Sequence, residues 1–211
     1  MYGDGGRDRR RTCCGSCCTL LVSLGFLLLI YWAIFQPHQI RATVDAATLS
    51  NLTVVSNASS STTDPATVSY HVAANLSLYN PSKRVGIYYD TLAARLLYRG
   101  APLSAAAADA SPAEFYQRRR TAQLVGLVFD SGKDGGVALP AGLAAQLEAE
   151  AAGAARALGL ELDLALRVRY VFGAVKIRQK PRVRCALSVP VPPAPGGVGI
   201  LGSGGRCSVK Y

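Results

Sequence analysis

Six cysteines are the side chains best equipped for chemistry in this chain, and they fall into two groups. Cys13, Cys14, Cys17 and Cys18 are two adjacent pairs whose spacing superficially matches paired zinc ligands. Zinc needs four thiolates converging tetrahedrally from a folded loop, and adjacent cysteines entering a helix do not converge that way. Thiols beside basic residues at the edge of an apolar run suit S-acylation, so acylation is the expectation, with inert thiols or a metal as alternatives. Cys185 and Cys207 stand far downstream, and a disulfide between them would close a loop of about 20 residues, stabilising by on the order of 3 kcal/mol if unstrained.

Charge supplies a second chemistry. Lys176, Arg178, Lys180, Arg182 and Arg184 share one parity, so in an extended strand they project from one face about 6.6 Å apart. With Arg167 and Arg169 such a ladder fits an anionic wall polysaccharide or an acidic lipid. A solvated outer face that protects a sheet edge is the plainer account of the same residues. The formal net charge of +10 agrees with either. Three N-glycosylation sequons begin at Asn51, Asn57 and Asn75, whereas Asn80-Pro-Ser is disqualified by its proline.

Catalytic signatures are missing. The two histidines, His38 and His71, have no neighbouring acid or nucleophile motif, although a triad assembled at long range stays open. Gly197-Val-Gly-Ile-Leu-Gly202 matches GxGxxG, but no helix or acidic residue follows at the spacing that a dinucleotide needs. Glu148 and Glu150, two apart on an expected helix, point to different faces and form no dyad. The expectation is a non-enzymatic protein without metal or cofactor.

These groups are placed by an apolar run over residues 17–35, with no charged side chain from Leu20 to its end. About 19 residues at about 1.5 Å each nearly cross a bilayer core of about 30 Å. Arg7, Arg9, Arg10 and Arg11 put the preceding end in the cytosol by the positive-inside rule, and Tyr31 and Trp32 suit the far interface. A cleaved signal peptide is the alternative, but its apolar core is usually shorter. The organisation expected is a basic cytosolic tail containing cysteines (1–16), a transmembrane signal anchor (17–36), a membrane-proximal strand and glycosylatable loop (37–66), and a folded domain (67–211). The last 170 or so residues suffice for one core. The anchor places them outside the cytosol, away from nucleic acid.

Within that domain the apolar residues alternate. Val68, Tyr70, Val72, Ala74, Leu76 and Leu78 share one phase of a half-buried strand. Strands also follow over 85–90 and 92–98, and over 124–129 as a run buried on both faces. A helix is expected over 143–158. The clearest strand runs from Leu160 to Phe172, with Glu161, Asp163, Arg167 and Arg169 facing out. Gly173 shifts the phase, so that Val175 and Ile177 turn inward. Val183, Cys185, Leu187 and Val189 point inward beyond Pro181, residues 190–205 read as a loop, and Cys207, Val209 and Tyr211 close the chain on an inward phase. Residues 51–65 and 105–113 read as loops. Seven or eight short strands with turns point to a mainly β fold. It is an immunoglobulin/fibronectin-like antiparallel β-sandwich with one minor helix, following the single N-terminal transmembrane helix; a closed barrel is the alternative.

The segment Asn80, Pro81, Ser82, Lys83, Arg84, Val85, Gly86, Ile87, Tyr88, Tyr89, Asp90 resembles the motif of the plant harpin-induced-like and non-race-specific-disease-resistance-like (NHL) family. That family's domain is the second late-embryogenesis-abundant type. The basic, cysteine-containing stub before the apolar run and the stretch from Val175 to Cys185 carry the likeness further. The resemblance implies a membrane-anchored, non-enzymatic β-sandwich of plant defence and stress responses at the plasma membrane or plasmodesmata, with protein partners or self-association. A structural protein protecting membrane or wall during dehydration is the alternative function. Some relatives carry a GPI anchor, but a chain ending Cys207-Ser-Val-Lys-Tyr211 has no hydrophobic tail for one. For Lys83, Arg84, Tyr88 and Tyr89, turn and strand-start chemistry competes with a role in partner binding.

Overall fold

The structure is a computed structural model of the 211-residue chain, and it describes residues 8–35, 39–55, 65–103, 108–131, 135–153, 156–192, 197–201, 205 and 207–211. Two compact units divide it, Met1–His38 and Gln39–Tyr211.

The first unit is helix α1 (Asp8–Phe35). It begins inside the segment expected as a tail, because arginines are good helix formers and extend backward the helix that the apolar run requires. Leu20, Leu21, Val22, Leu24, Phe26, Leu27, Leu28 and Leu29 are each between 55% and 72% exposed. Side chains of α1 are described for residues 18–31 and 33 alone, and among the described residues no helix is long and apolar enough to cross a membrane.

The second unit contains β1 (Arg41–Val55), β2 (Ala66–Tyr79), β3 (Gly86–Tyr98), β4 (Ala101–Pro102), β5 (Asp109–Ser111), β6 (Phe115–Gln117), β7 (Ala122–Asp130) and β8 (Val137–Leu139). Helix α2 (Ala141–Ala152) follows, then β9 (Ala157–Phe172), β10 (Val175–Gln179), β11 (Arg182–Pro190), β12 (Val198–Leu201) and β13 (Ser208–Lys210). Sheet A has the order β12-β1-β2-β7-β5, with β8 also on β2. Sheet B has the order β13-β11-β9-β3-β4, with β10 also on β9 and β6 on β3. Every pairing is antiparallel.

The fold follows from alternation. β2 and β9 change from buried to open at almost every step, so each sheet has one apolar face. Pressing the faces together buries Leu76, Leu78, Val125 and Leu127 from sheet A against Ile87, Leu96, Leu162 and Leu164 from sheet B. Each such side chain contributes about 1.5–3 kcal/mol. Helix α2 adds Ala144 and Leu147 over β9 and β2. Two separate sheets with free edges make this a sandwich, not a closed barrel, and its strands outnumber the about seven of an immunoglobulin constant-type domain.

Several boundaries differ from the sequence reading. β1 pairs with both β2 and β12, so this strand belongs to the sandwich, and strand continues through 51–55 in place of the expected loop. The strands expected over 85–90 and 92–98 are one strand, β3, and the phase break is a bulge at Asp90. β7 is open on one face, with Leu124 57% and Val128 37% exposed, because no described element of this unit covers the outside of sheet A there. Val175 and Ile177 do not turn inward. β10 pairs with β9 beyond the cover of the facing sheet, and both of its faces are open. The expected loops over 105–113 and 190–205 contain β5 and β12, and the helix ends at Ala152 because β9 already begins at Ala157. Tyr211 is 50% exposed, not inward.

Candidate functional site

The sandwich presents two outer faces made by the same alternation from different residues. On sheet A the outward positions shared by β1 and β2 include small polar pairs, such as Thr43 opposite Ser77 and Thr53 opposite Ser69, while β7 and β12 expose Leu124, Val128, Val198 and Ile200. His71 Nδ1 and Asp130 Oδ2 lie 3.6 Å apart where β2 and β7 face each other. Asn75 lies exposed on this face in the central strand β2, opposite Ala46 and Gly126. Asn51 is exposed on β1 with a left-handed φ of 53°, a conformation that asparagine tolerates better than most residues. Asn57 lies outside the described residues.

On sheet B the outward positions include a run of cationic residues beside Glu161 and Asp163. β10 and β11 run end to end along one edge of β9, interrupted at Lys180 and the buried Pro181, whose carbonyl accepts a bond of 3.0 Å from Leu166 N–H. The register places Lys176 opposite Val171, Arg178 opposite Arg169, Arg182 opposite Ala165 and Arg184 opposite Asp163. Those β9 positions share the outer face. The expected ladder therefore exists as four rungs on two strands, with the exposed Lys180 in the break.

Some rungs are compensated. Arg184 Nε lies 3.6 Å from Asp163 Oδ1. Arg169 Nε donates to Asp90 Oδ1 at 2.8 Å, and its guanidinium sits 4.6 Å from the centre of the Tyr88 ring. Lys176, Arg178, Arg182 and Arg167 have no acidic partner among the described residues. Two like-charge pairs also face each other across strands, Arg178 with Arg169 and Arg182 with Lys210. Like charges directly opposite destabilise a sheet.

The motif residues have mainly structural duties. Asn80 is fully buried and donates from Nδ2 to the Val85 and Arg118 carbonyls at 3.0 and 3.2 Å, while its Oδ1 accepts from Ser82 N–H at 3.0 Å. Ser82 Oγ then accepts from the N–H groups of Arg84 and Val85 at 3.3 and 3.0 Å. Pro81 starts the turn and Val85 packs on the core. Gly86 leaves room for Tyr116, whose hydroxyl would lie 2.1 Å from a Cβ added there. Ile87 and Tyr89 are core residues. The Tyr89 hydroxyl donates to Gln117 Oε1 at 3.0 Å, and burial pushes its pKa well above the usual phenol range. Tyr88 and Asp90 hold Arg169, and Lys83 and Arg84 are exposed. Gln117, which completes this hub by donating to Leu78 and Thr121 carbonyls at 2.6 and 2.8 Å, carried no local signal in the sequence.

Cys185 and Cys207 are joined by a disulfide with Cα atoms 4.3 Å apart. Cys207 N–H also donates to the Ala42 carbonyl at 3.1 Å, so the link ties β11 to the entrance of β13 and, through the backbone, to sheet A. Cys18 is an exposed free thiol on α1, which also carries Cys13, Cys14 and Cys17 in its backbone helix. Among the described residues no three His, Cys, Asp or Glu side chains converge as metal ligands. His38 lies outside the described residues. The GxGxxG stretch is occupied by β12, where Gly199 admits the Pro190 carbonyl: a Cβ there would lie 1.7 Å from its oxygen. Glu150 pairs with Arg99, away from the basic face.

A family model described as "Late embryogenesis abundant protein" matches residues 75–186, more than half of the chain. NDR1/HIN1-like protein 3 of Arabidopsis thaliana is 35% identical over 81 residues, 38% of this chain and 31% of that protein. NDR1/HIN1-like protein 10 of Arabidopsis thaliana is 33% identical over 82 residues, 39% of this chain and 33% of that protein. The matched segments thus span about a third of these relatives. No solved structure matches the chain. The matched region holds the buried Asn80 turn, the Tyr88–Asp90–Arg169 contact and all four cationic rungs, and on it the chain belongs to the late embryogenesis abundant, NDR1/HIN1-like (NHL) family.

Proposed function

We propose that the protein is a non-enzymatic, single-pass plasma-membrane component of plant defence and stress responses, with its sandwich outside the cytosol and its basic face binding an anionic partner. The relatives' names supply the physiological class. The exposed leucines of α1 support the anchor, because so large an apolar surface is stable only against lipid or protein. S-acylation of Cys13, Cys14, Cys17 and Cys18 and glycans on Asn51, Asn57 and Asn75 fit that topology. Glycosidase digestion followed by alkaline carbonate extraction tests it: a mobility shift with retention in the pellet is expected, and release into the supernatant would contradict the anchor.

One observation carries the binding proposal. Arg182 faces Lys210 across adjacent strands, with no acidic partner for either among the described residues, so the outer face of sheet B keeps a repulsive pair that costs stability. Positions that break a local rule without local compensation mark function more often than accident. A pectic polysaccharide, with carboxylates repeated along an extended chain, complements rungs repeated along an edge. Charge reversal at Lys176, Arg178 and Lys180 is expected to abolish salt-sensitive binding to polygalacturonate. Unchanged binding would sink the proposal, and loss of binding to anionic liposomes alone would move the partner to lipid.

A further inference from the structure

The β2–β3 turn and the β6–β7 turn are fastened to each other. Asn80 bridges to the Arg118 carbonyl through Nδ2 at 3.2 Å and to the Thr121 carbonyl through its backbone N–H at 3.0 Å. Thr121 Oγ1 donates back to the Arg118 carbonyl at 2.8 Å. With the backbone polar groups satisfied inside, the charged side chains of both turns are left outside: Lys83, Arg84, Arg118, Arg119 and Arg120 are all exposed. Arg41 joins them, exposed at the start of β1 and in register with Tyr79. Residues 79–85 and 117–122 contain no Asp or Glu.

Beside these cations the same end is apolar. Gly86 pairs with Val171, which brings the β9–β10 hairpin alongside the turns. Gly173 closes that hairpin at a φ of 56°, and Val175 is 47% and Ile177 36% exposed. Exposed guanidinium groups next to exposed aliphatic side chains make up a membrane-surface contact, the cations meeting phosphates and the aliphatics entering the interface. β1 begins six positions after the last residue of α1, so this is the end of the sandwich to which the proposed anchor is joined in the chain.

We propose that this end is a headgroup-docking surface: Lys83, Arg84, Arg118, Arg119 and Arg120 bind phosphate-bearing lipid headgroups of the bilayer that holds α1, with Val175 and Ile177 at the interface. The inference rests on the anchoring proposed above. It assigns to the motif residues Lys83 and Arg84 a ligand separate from that of the rungs on sheet B, and it leaves that face free for a polymer.

The test uses the full chain in nanodiscs of phosphatidylcholine, with or without phosphatidic acid. Phenylglyoxal labelling of arginines is followed by mass spectrometry. Labelling of Arg84, Arg118, Arg119 and Arg120 is expected to slow about tenfold in the phosphatidic acid discs and to recover in high salt. Labelling of Arg99, in the turn at the other end of β3, is expected to stay constant. Combined Lys83→Glu and Arg84→Glu should remove most of the protection of the three remaining arginines. Combined Val175→Ser and Ile177→Ser, which leaves the charges in place, should weaken it. Equal labelling in both discs, with the protein co-eluting with them, would overturn the proposal and leave the anchor standing. So would equal protection by inorganic phosphate added to neutral discs. A protein that does not co-elute with the discs would overturn the anchor, and this proposal with it.

Discussion

The two outer faces of the sandwich have the same backbone geometry and opposite chemistry. Sheet A sets Ser, Thr, Ala and Asn on the outward positions of β1 and β2 and exposed aliphatic residues such as Leu124, Val128, Val198 and Ile200 on β7 and β12, with no lysine or arginine in its central strand β2. Sheet B concentrates Lys176, Arg178, Arg182, Arg184, Arg167 and Arg169 on one stretch of its outer face beside Glu161 and Asp163, and it tolerates like charges in register. Both faces rest on one core, so the fold has no need of the difference. A sheet face that only had to stay wet is served by threonines and serines. Edge protection accounts for charge on the face of sheet B but not for the like-charged Arg182 and Lys210 set directly opposite each other.

The largest expected effect comes from removing what the two faces share. Asn80→Asp takes the donor from the Val85 carbonyl, leaves the Arg118 carbonyl only its bond from Thr121 Oγ1 and puts a carboxylate in a fully buried position, so urea denaturation should report a loss of about 3–5 kcal/mol. Combined Cys185→Ala and Cys207→Ala should cost about 3 kcal/mol by the same assay, and should loosen the β11–β13 edge before the sheet A pairings in hydrogen exchange.

Alkaline pH separates the two sides of the shared core. Under sheet A, burial first and Asp130 second push Tyr70 from 10.0 to about 12. The folded pKa lies above the unfolded one, so this contribution is complete below pH 10 and is lost as pH rises through about 12. Tyr70→Phe should flatten the fall of stability across that window. A pH dependence identical to that of the unsubstituted protein would place the alkaline sensitivity elsewhere. Under sheet B, Tyr170 is also raised, by burial and by its 3.0 Å bond to Tyr211, and should extend the loss to higher pH.

The smallest effect sharpens the comparison most. Arg182→Ser gives sheet B one position in the style of sheet A and removes the repulsion with Lys210, so stability should rise by about 0.2–1 kcal/mol while polygalacturonate affinity falls. A fall in both would mean that Arg182 is a structural residue.

What was legible in the sequence was whatever alternation alone decides. β2 and β9 could be read residue by residue, because a strand with one buried face must alternate. The direction of the cationic side chains came with β9 and β11. Elements decided by partners were not legible. β10 has alternating residues but nothing above it, so Val175 and Ile177 stayed exposed. Asp90 looked like the end of a strand, because a bulge and a turn break the phase alike. β12 hides between glycines and a proline-rich stretch because Gly199 must admit the Pro190 carbonyl. Of the candidate site, the residues were visible but the opposed like charges were not, since Lys210 meets Arg182 only through a register that joins distant strands.

The most direct test of the central claim is polygalacturonate binding by two matched charge reversals over a range of salt. One replaces Lys176, Arg178 and Arg182 with Glu on sheet B, and the other replaces Thr48, Ala73 and Ser77 with Glu on sheet A. The sheet B variant should lose on the order of 100-fold in affinity together with the salt dependence, while the sheet A variant retains most of both. Equal losses from the two variants would reduce the binding to net charge and contradict a dedicated cationic face.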